Sequence, residues 1–322
     1  MDKLKVGIIG CGYMGGVHAS LLARDERVRV TSVHDVAGDR AEKLALSAGA
    51  EIARDVDELI KRVDAIYIAT PNTKHTAPAL AAIEANKHLF CEKPMATSMA
   101  DARAILDAGS GGKSVLQVGH NRRFAPVYVA LKQLLAESAP HSAHVKMNRG
   151  ELLKPDWVGD PGVTGGFLYE TPIHMFDMMR FLFGEVVALI AVGSSHEYAE
   201  IDDYSVLLRF KSGMHATLAT SADASWLFPF ERIEVFGHHR TFVTREMESI
   251  SVSDALDGNY STRSMHQLSK EEKWGYALED RAFVDSVLDG APVAVTAFDG
   301  FKSVELVDAC YRAVKTGERT TL

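Results

Sequence analysis

Short apolar runs alternate with helix-like segments over the first third of the chain. The apolar runs are bounded by glycine or polar residues, as buried strands are, and the segments between them carry apolar residues at helical spacing. Strands that alternate with helices form a parallel sheet covered on both faces, and right-handed crossovers make the fold doubly wound. The predicted strands are residues 5–10, 28–34, 65–70, 88–91 and 115–119, and the predicted helices are residues 16–24, 40–48, 77–86 and 99–107.

The pattern changes after about residue 123. One more helix is predicted from Pro126, and β-rich runs then follow one another without intervening helices. Consecutive strands indicate a mostly antiparallel open sheet, so we predict an α/β first domain at residues 1–122 and an α+β second domain at residues 123–322. The β-rich runs are residues 186–192, 204–210, 214–220, 232–236 and 241–245.

The rest of the second half is less regular. Residues 254–273 are polar with little periodicity, which predicts a loop or a lid. Residues 275–316 are predicted to form two helices, the second capped by Asp299, and we expect this final helix to pack back on the first domain.

Composition narrows the class of protein. The chain has 322 residues, 47% hydrophobic and 24% charged, which is too long for one typical core. A formal net charge of −8 without a Lys/Arg run argues against nucleic acid as a partner. Neither a signal peptide nor a membrane span is predicted, because every apolar run is too short. Three scattered cysteines indicate neither disulfides nor a zinc site, so we expect a cytoplasmic protein.

A glycine-rich turn follows the first predicted strand. The sequence GCGYMG, which begins at Gly10, fits the GxGxxG pattern that binds dinucleotides between a strand and a helix. Gly10 permits the tight turn, Gly12 lets the backbone approach a pyrophosphate, and Gly15 lets the helix pack closely on the strand. The amides of Tyr13 and Met14 would point at the phosphates from the helix N-terminus.

Asp35 ends the second predicted strand, at the distance from the glycine motif where a carboxylate accepts the ribose hydroxyls of NAD and repels a 2′-phosphate. Arg40 lies about one helical turn beyond it and leaves NADP open. The alternative interpretation is a surface Asp that caps the next helix. With the glycine motif at the right distance, the sequence predicts NAD as the cofactor.

Two further strands end in polar turns. Thr70, Pro71 and Asn72 close one strand and His75 follows, so we predict that this turn contacts the adenosine–nicotinamide side of the cofactor. A simple Pro-Asn turn is an equal alternative on pattern alone. His75 is more typical of a helix start than of a catalyst.

The next strand ends in FCEKP. Glu92 and Lys93 then lie at the carboxyl end of a parallel strand, where open α/β sheets bind ligands, and Pro94 stops the strand. An ion pair on the surface would contribute little. A Lys near a nicotinamide could instead stabilise a developing alkoxide on the substrate.

A second constellation, GGFLYETPIHMFD, lies in the second domain. Thr171 is predicted as an N-cap and Pro172 as the first helical residue, with the helix ending at Gly184. His174 then lies in the first turn, where the helix dipole favours a neutral imidazole that accepts a proton. Asp177, three residues on, could orient it. The alternative is a structural histidine; no other His or Cys stands at metal-ligand spacing.

The motifs GIIGCGYMG, ATPN, CEKP and GGFLYETPIHMFD, in this order, resemble the glucose–fructose oxidoreductase and inositol dehydrogenase (Gfo/Idh/MocA) family. The resemblance implies a Rossmann domain and an α/β domain whose open sheet commonly forms a dimer face. It also implies hydride transfer between NAD(P) and a carbon of a sugar, cyclitol or derivative. We therefore expect a small-molecule polyol or sugar substrate and a homodimer or homotetramer.

The resemblance also assigns residues to the site. Lys93 matches the family's lysine and His174 its catalytic histidine, while Glu170 stands where the family usually has Asp. The segment GHNRRF, which contains Arg122, resembles the segment that crosses the nicotinamide, and this implies a cofactor contact. Trp157 precedes the predicted catalytic helix and is expected to line the substrate pocket.

These residues predict a mechanism. Lys93 and His174 are expected to face one substrate oxygen beside the nicotinamide; His174 removes the hydroxyl proton, Lys93 stabilises the charge, and Glu170 positions one of them. Two alternatives stay open: a hydrolase or eliminase that uses NAD within one turnover, and a non-catalytic dinucleotide-binding sensor. Among substrates, neutral polyols, amino sugars and uronates all fit the sequence.

Overall fold

The computed structural model describes residues 2–148, 156–225, 230–256 and 258–322. The chain divides into two compact units. The first combines Met1–His120 with Tyr276–Val304, and the second combines Asn121–Gly275 with Glu305–Leu322.

The first unit is built on a parallel sheet in which strands and helices alternate. Its strand order is β3-β2-β1-β4-β5-β6, the order of a doubly wound dinucleotide-binding fold. The strands up to residue 120 are β1 (Leu4–Ile9), β2 (Val28–His34), β3 (Glu51–Ile52), β4 (Ala65–Ile68), β5 (His88–Glu92) and β6 (Leu116–Gly119), and the helices are α1 (Tyr13–Leu22), α2 (Gly38–Ala48), α3 (Val56–Arg62), α4 (Thr76–Glu84) and α5 (Met99–Gly109).

Helices cover both faces of this sheet, so its central strands are apolar throughout rather than alternating. Every residue of β4 is buried, as are Val6, Ile8 and Phe90 on the neighbouring strands. The predicted strands and helices of this part of the chain are confirmed to within a few residues at their ends.

The second unit is built on a mixed sheet. Within the described ranges, its strand order is β14-β13-β12-β11-β7-β10-β9-β8-β15, and every pairing is antiparallel except that of β7 with β10. The elements of residues 121–275 are α6 (Pro126–Ala136), β7 (Ser142–Met147), α7 (Pro161–Thr164), α8 (Phe167–Glu170), α9 (Ile173–Phe183), β8 (Val186–Ser194), β9 (Asp203–Phe210), β10 (His215–Ser221), β11 (Glu231–Gly237), β12 (Arg240–Arg245), β13 (Ser249–Ser253), β14 (Tyr260–Ser264) and α10 (Lys270–Lys273). The predicted fold class, a parallel α/β first domain and a mostly antiparallel second sheet, is confirmed.

The structure corrects several local predictions. The predicted loop or lid at residues 254–273 contains β14 and α10. Every residue of β14 is exposed. The sequence of this edge strand therefore shows no alternation of apolar and polar residues from which a strand could be predicted. β7 was missed, although its buried residues do alternate with more exposed ones.

The third correction concerns the start of α9. Thr171 follows α8 directly and has a right-handed helical backbone, so it does not take the extended conformation of an N-cap. Pro172 occupies that position instead, without a side-chain cap. Gly184 ends the helix with a φ of 91°, as predicted.

The tail contains α11 (Tyr276–Asp289), α12 (Ala297–Thr316) and β15 (Thr320–Thr321), and the two predicted helices are confirmed. The predicted cap of α12, Asp299, is wrong: the cap lies three residues earlier, at Thr296. Thr296 precedes α12 and its hydroxyl accepts the amide of Asp299, while the Asp299 carboxylate accepts the amide and hydroxyl of Thr296. Asp299 is thus the reciprocal partner of the cap and not the cap itself.

Candidate active site

The glycine-rich loop joins β1 to α1. Gly10 has a φ of 95°, and a methyl carbon built there would lie 2.5 Å from the backbone of Ala69. A methyl carbon at Gly15 would lie 2.1 Å from the carbonyl oxygen of Gly10, so the helix reaches the loop only because Gly15 has no side chain. A methyl carbon at Gly12 would meet nothing within 4 Å.

Helix α1 begins immediately after this loop, at Tyr13 and Met14. The first amides of a helix have no partner within the helix and carry partial positive charge. With the open space at Gly12, this forms a cradle that suits the pyrophosphate of a dinucleotide. The side chain of Tyr13 is 68% exposed.

Asp35 directly follows β2, and its carboxylate joins two segments of backbone. One oxygen accepts the amide of Cys11 in the glycine-rich loop at 2.7 Å, and the other accepts the amide of Ala37 at 2.8 Å. The carboxylate is therefore fixed beside the loop. Its position suits the ribose hydroxyls of NAD, so the residues present fit this cofactor.

The turn after β4 begins at Thr70 and Pro71 and continues as a 3₁₀ turn at Asn72–Lys74. His75 is fully buried beneath it, and its ring nitrogens lie 2.8 Å from the carbonyl oxygen of Thr70 and 2.7 Å from that of Pro94. Burial outweighs these contacts and lowers the pKa of His75. The imidazole thus connects the turn after β4 to the turn after β5, whose Lys93–Pro94 peptide bond is cis.

Glu92 is the last residue of β5, and Lys93 follows it. The Glu92 carboxylate is buried; one oxygen lies 3.0 Å from Nε2 of His18, and the other accepts the Lys93 amide at 3.0 Å. Nδ1 of His18 lies 2.8 Å from a carboxylate oxygen of Asp280 on α11. Burial alone would raise the pKa of Glu92, but the hydrogen bond with His18 and the charges of His18 and Lys93 lower it.

Sequence reasoning missed His18 and Asp280. His18 does carry a local signal, since it lies one helical turn after Gly15 on the face of α1 that packs on the sheet. Asp280 carries none, because it lies 262 residues from its partner.

In the second unit, His174 is the second residue of α9 and is buried, and its amide bonds to the carbonyl oxygen of Thr171. Glu170 ends α8, just before this turn. Trp157 lies in a 3₁₀ turn at Asp156–Gly159 and is 37% exposed. The prediction that Asp177 orients His174 meets a competing contact: both Asp177 oxygens accept hydrogen bonds from Arg123, at 2.8 and 2.6 Å.

Arg122 is one of the largest fully buried side chains among the described residues. Its guanidinium bonds to both carboxylate oxygens of Glu231 on β11, with the shortest N···O distance 2.8 Å, and the Tyr128 hydroxyl bonds to the same carboxylate. The guanidinium therefore lies inside the second unit. The sequence instead predicts that Arg122 contacts the cofactor. Sequence reasoning missed Glu231, which lies 109 residues from Arg122.

Within the described ranges, no group of three or more His, Cys, Asp or Glu side chains could hold a metal ion. None of the helices in those ranges combines the length and hydropathy that a membrane span requires.

Comparisons with known proteins agree with this geometry. Residues 4–120 match the model of the Gfo/Idh/MocA oxidoreductase family's NAD-binding Rossmann fold, and residues 133–322 match the model of its C-terminal alpha/beta domain. The chain belongs to this oxidoreductase family. The predictions of the family, of an NAD-dependent dehydrogenase or reductase and of NAD as cofactor are confirmed.

Individual relatives cover nearly the whole chain. An inositol 2-dehydrogenase of Rhizobium meliloti is 30% identical over 97% of each chain, and a myo-inositol 2-dehydrogenase of Thermotoga maritima is 29% identical over 92% of each. The solved structure of GenD2 from gentamicin A biosynthesis, in complex with NAD, is 26% identical, with a TM-score of 0.87 over 100% of this chain and 97% of that one. Levoglucosan dehydrogenase in complex with NADH and levoglucosan shares the fold, with a TM-score of 0.89 at 22% identity over 99% of each chain.

Proposed function

We propose that this protein is an NAD-dependent dehydrogenase that oxidises a ring hydroxyl of a cyclitol or closely related sugar. The observation that carries the proposal is the Asp35 carboxylate fixed 2.7 Å from the amide of Cys11, beside a glycine-rich loop that is open at Gly12. This arrangement suits a nicotinamide dinucleotide without a 2′-phosphate. NAD supplies the site that accepts the hydride from the substrate carbon.

The residues proposed to hold the cofactor lie at the carboxyl ends of the strands of the first unit. Gly10, Gly12 and Gly15 shape the loop, with the amides of Tyr13 and Met14 beside it. The adenosine side meets Asp35, and the turn after β4 supplies Thr70, Pro71 and Asn72. His75 has a supporting role in this proposal, because its buried imidazole bonds to backbone on both sides. The Arg122 side chain is not among them, because its buried guanidinium bonds to Glu231.

Lys93 is the proposed cationic hydrogen-bond donor. It follows β5 at the edge where parallel sheets bind ligands, and its backbone amide is held by the Glu92 carboxylate. A cation near the substrate oxygen stabilises the charge that develops there as the carbon–hydrogen bond breaks.

His174 is the proposed general base. It lies in the first turn of α9, where the partial positive charge of the helix N-terminus disfavours the imidazolium and so keeps the imidazole ready to accept the hydroxyl proton. Glu170, which ends the preceding helix, is proposed to position the reacting groups. Trp157 is proposed to line the substrate pocket because its indole is partly exposed on the segment before them.

The substrate class rests on the relatives. Proteins named inositol 2-dehydrogenase align over nearly the full length of both chains, which supports a neutral cyclitol ahead of an amino sugar or a uronate.

We also propose a homo-oligomer. On the face of the second sheet where β8 pairs with β9, Ile190 and Leu207 stand directly opposite each other and are each 44% exposed, and Val192 nearby is 66% exposed. Exposed apolar side chains that adjoin on one sheet face are typical of an interface with another chain. A second copy of this chain is the proposed partner, in a cytoplasmic enzyme.

The test is a substrate screen with the purified protein. Inositol isomers, neutral sugars, amino sugars and uronates are each incubated with NAD or NADP, and the absorbance of reduced nicotinamide is followed. We expect NAD-linked oxidation of a cyclitol or neutral sugar. Product formation without accumulation of reduced cofactor would indicate a hydrolase or eliminase, and binding of NAD without turnover of any compound would indicate a sensor.

A further inference from the structure

A buried cluster of three titratable groups lies in the first unit, and the proposed mechanism does not use it as a whole. His18 on α1 is fully buried, and its two ring nitrogens lie 3.0 Å from Glu92 and 2.8 Å from Asp280. The exposed fractions of Glu92 and Asp280 are 7% and 3%. Two carboxylates and one imidazole thus share a site closed to water.

The geometry favours a protonated His18. A neutral imidazole has one N–H and one lone pair, so it can donate to only one of two flanking carboxylates, whereas an imidazolium donates to both. Burial opposes the charged ring, but the carboxylates of Asp280 and Glu92 outweigh it and hold the pKa of His18 well above its usual value. The rings of Tyr67 and Phe90 pack around the imidazole, with centroids 5.2 and 5.0 Å away.

The cluster connects directly to Lys93. The Glu92 oxygen that does not face His18 accepts the Lys93 amide at 3.0 Å. On the opposite side, a methyl carbon at Gly119 would lie 3.0 Å from that oxygen, so β6 leaves just enough room for the carboxylate. Because His18 holds one oxygen of Glu92, the orientation of the carboxylate is fixed. In that orientation the other oxygen accepts the Lys93 amide.

We propose that His18 is a positioning residue: by donating to Glu92 it fixes the carboxylate that holds the Lys93 backbone, and so sets the direction in which the Lys93 amine is presented. Asp280 holds the other side of the ring and keeps its orientation. This inference rests on the proposed catalytic role of Lys93, and it predicts that His18 acts on turnover through Lys93 alone.

The test compares His18→Leu with His88→Ala. His88 lies on the same strand as Glu92 and its ring accepts the amide of Val115, so its loss removes a hydrogen bond without touching Lys93. We expect His18→Leu to lower kcat by about 10- to 100-fold while the NAD dissociation constant changes by less than about 3-fold, because misplacement of a catalytic group acts on the transition state. We expect His88→Ala to leave kcat within about 2-fold of the wild type.

A double variant separates positioning from a general loss of stability. If His18 acts through Lys93, His18→Leu should not slow a Lys93→Ala enzyme further. Losses that multiply in the double variant, or an unchanged kcat in His18→Leu, would overturn the inference. Should His18→Leu fail to fold, Glu92→Gln is measured in the same design, because the amide cannot accept from both His18 and the Lys93 backbone as the carboxylate does.

A readout independent of activity distinguishes this inference from the proposed function. Hydrogen–deuterium exchange of the segment around Lys93 should be at least about 10-fold faster in His18→Leu and unchanged in His88→Ala. If the wild type oxidises no sugar or cyclitol, the proposed function fails, and exchange alone then decides the positioning role. Unchanged exchange in His18→Leu contradicts that role.

Discussion

The carboxylate of Asp35 accepts the backbone amide of Cys11 at 2.7 Å, although the two residues lie 24 positions apart. This hydrogen bond joins the end of β2 to the glycine-rich loop, and the Ala37 amide holds the second carboxylate oxygen. The acidic group is therefore held in place beside the loop, and we propose that it selects the ribose of the cofactor from there. The glycine motif and the acidic residue are one structural unit.

Replacing Asp35 by Ser should change cofactor preference. The ratio of kcat/KM with NAD to that with NADP should fall by at least about tenfold, because the variant loses the acceptor for the ribose hydroxyls and no longer repels a 2′-phosphate. Steady-state kinetics with both cofactors measure the ratio. Asp39→Asn, which alters an exposed acid in the first turn of α2, is the matched control and should leave it unchanged. An equal loss with both cofactors would mean that Asp35 only supports the loop.

Three alanine substitutions should separate folding from cofactor binding. Gly15→Ala should lower the melting temperature and abolish NAD binding, because its methyl carbon would lie 2.1 Å from the Gly10 carbonyl oxygen. Gly12→Ala should fold normally but bind NAD at least about tenfold more weakly, since the methyl group would occupy the space proposed for the pyrophosphate.

Gly16→Ala is the control for both. Its methyl group would meet nothing within 4 Å, and replacing a helical Gly by Ala stabilises by about 0.5–1 kcal/mol. Thermal melting and calorimetric titration with NAD measure the two properties. Unchanged NAD affinity in Gly12→Ala would contradict the proposed path of the cofactor.

Local sequence patterns predicted the elements of the first unit except β3 and α3, because buried parallel strands and amphipathic helices each leave a periodic signal. The glycine motif and Asp35 were predictable because their spacing follows from one strand–helix–strand unit. The contacts of His18 with Asp280, of Arg123 with Asp177 and of Arg122 with Glu231 were not predictable, since each joins elements distant in the chain. The partner of a buried polar side chain leaves no periodic signal near that side chain in the sequence.

The prediction for His75 illustrates the same limit. The sequence places it next to a turn at the ligand edge, which favours a cofactor contact. Its rotamer, however, directs the ring inward between the carbonyl oxygens of Thr70 and Pro94. Nothing in a single sequence specifies that direction.

Breaking the buried ion pair between Asp177, on the proposed catalytic helix α9, and Arg123 should be costly. Asp177→Asn should lower the free energy of unfolding by about 3–5 kcal/mol, because it leaves the Arg123 guanidinium buried without its counter-charge. Arg180 and Glu185 form a pair near the other end of α9, but the Glu185 side chain is 43% exposed. Glu185→Gln should therefore cost less than about 1 kcal/mol. Urea denaturation measures both, and equal costs would refute the distinction.

Leu207→Lys should prevent the proposed self-association. The charge would lie opposite Ile190 on the apolar face of the second sheet. An interface that buried this unpaired charge would remove its hydration, which is energetically costly. Sedimentation velocity should show an oligomer for the wild type and a smaller species for the variant, with an unchanged melting temperature for the isolated chain. Arg209→Lys, on the same strand, keeps the charge and serves as control. A wild type that sediments as a monomer at all concentrations contradicts the proposal.

The charge on His18 predicts how stability depends on pH. A folded-state pKa raised above the unfolded value of about 6.5 means that the native state keeps a proton which the unfolded chain releases. Folding then takes up a proton, so the stabilisation is complete below about pH 6.5 and is lost as pH rises through the folded pKa.

Asp280→Asn removes the carboxylate that contributes most to raising this pKa, so the advantage of the wild type over Asp280→Asn in unfolding free energy should shrink between about pH 6 and pH 9. Asp285→Asn on the same helix breaks a contact with Arg27, which stays charged throughout, so its cost should be constant over that range. Urea denaturation at several pH values measures both differences; a constant or growing advantage over Asp280→Asn would mean that His18 is neutral in the folded protein.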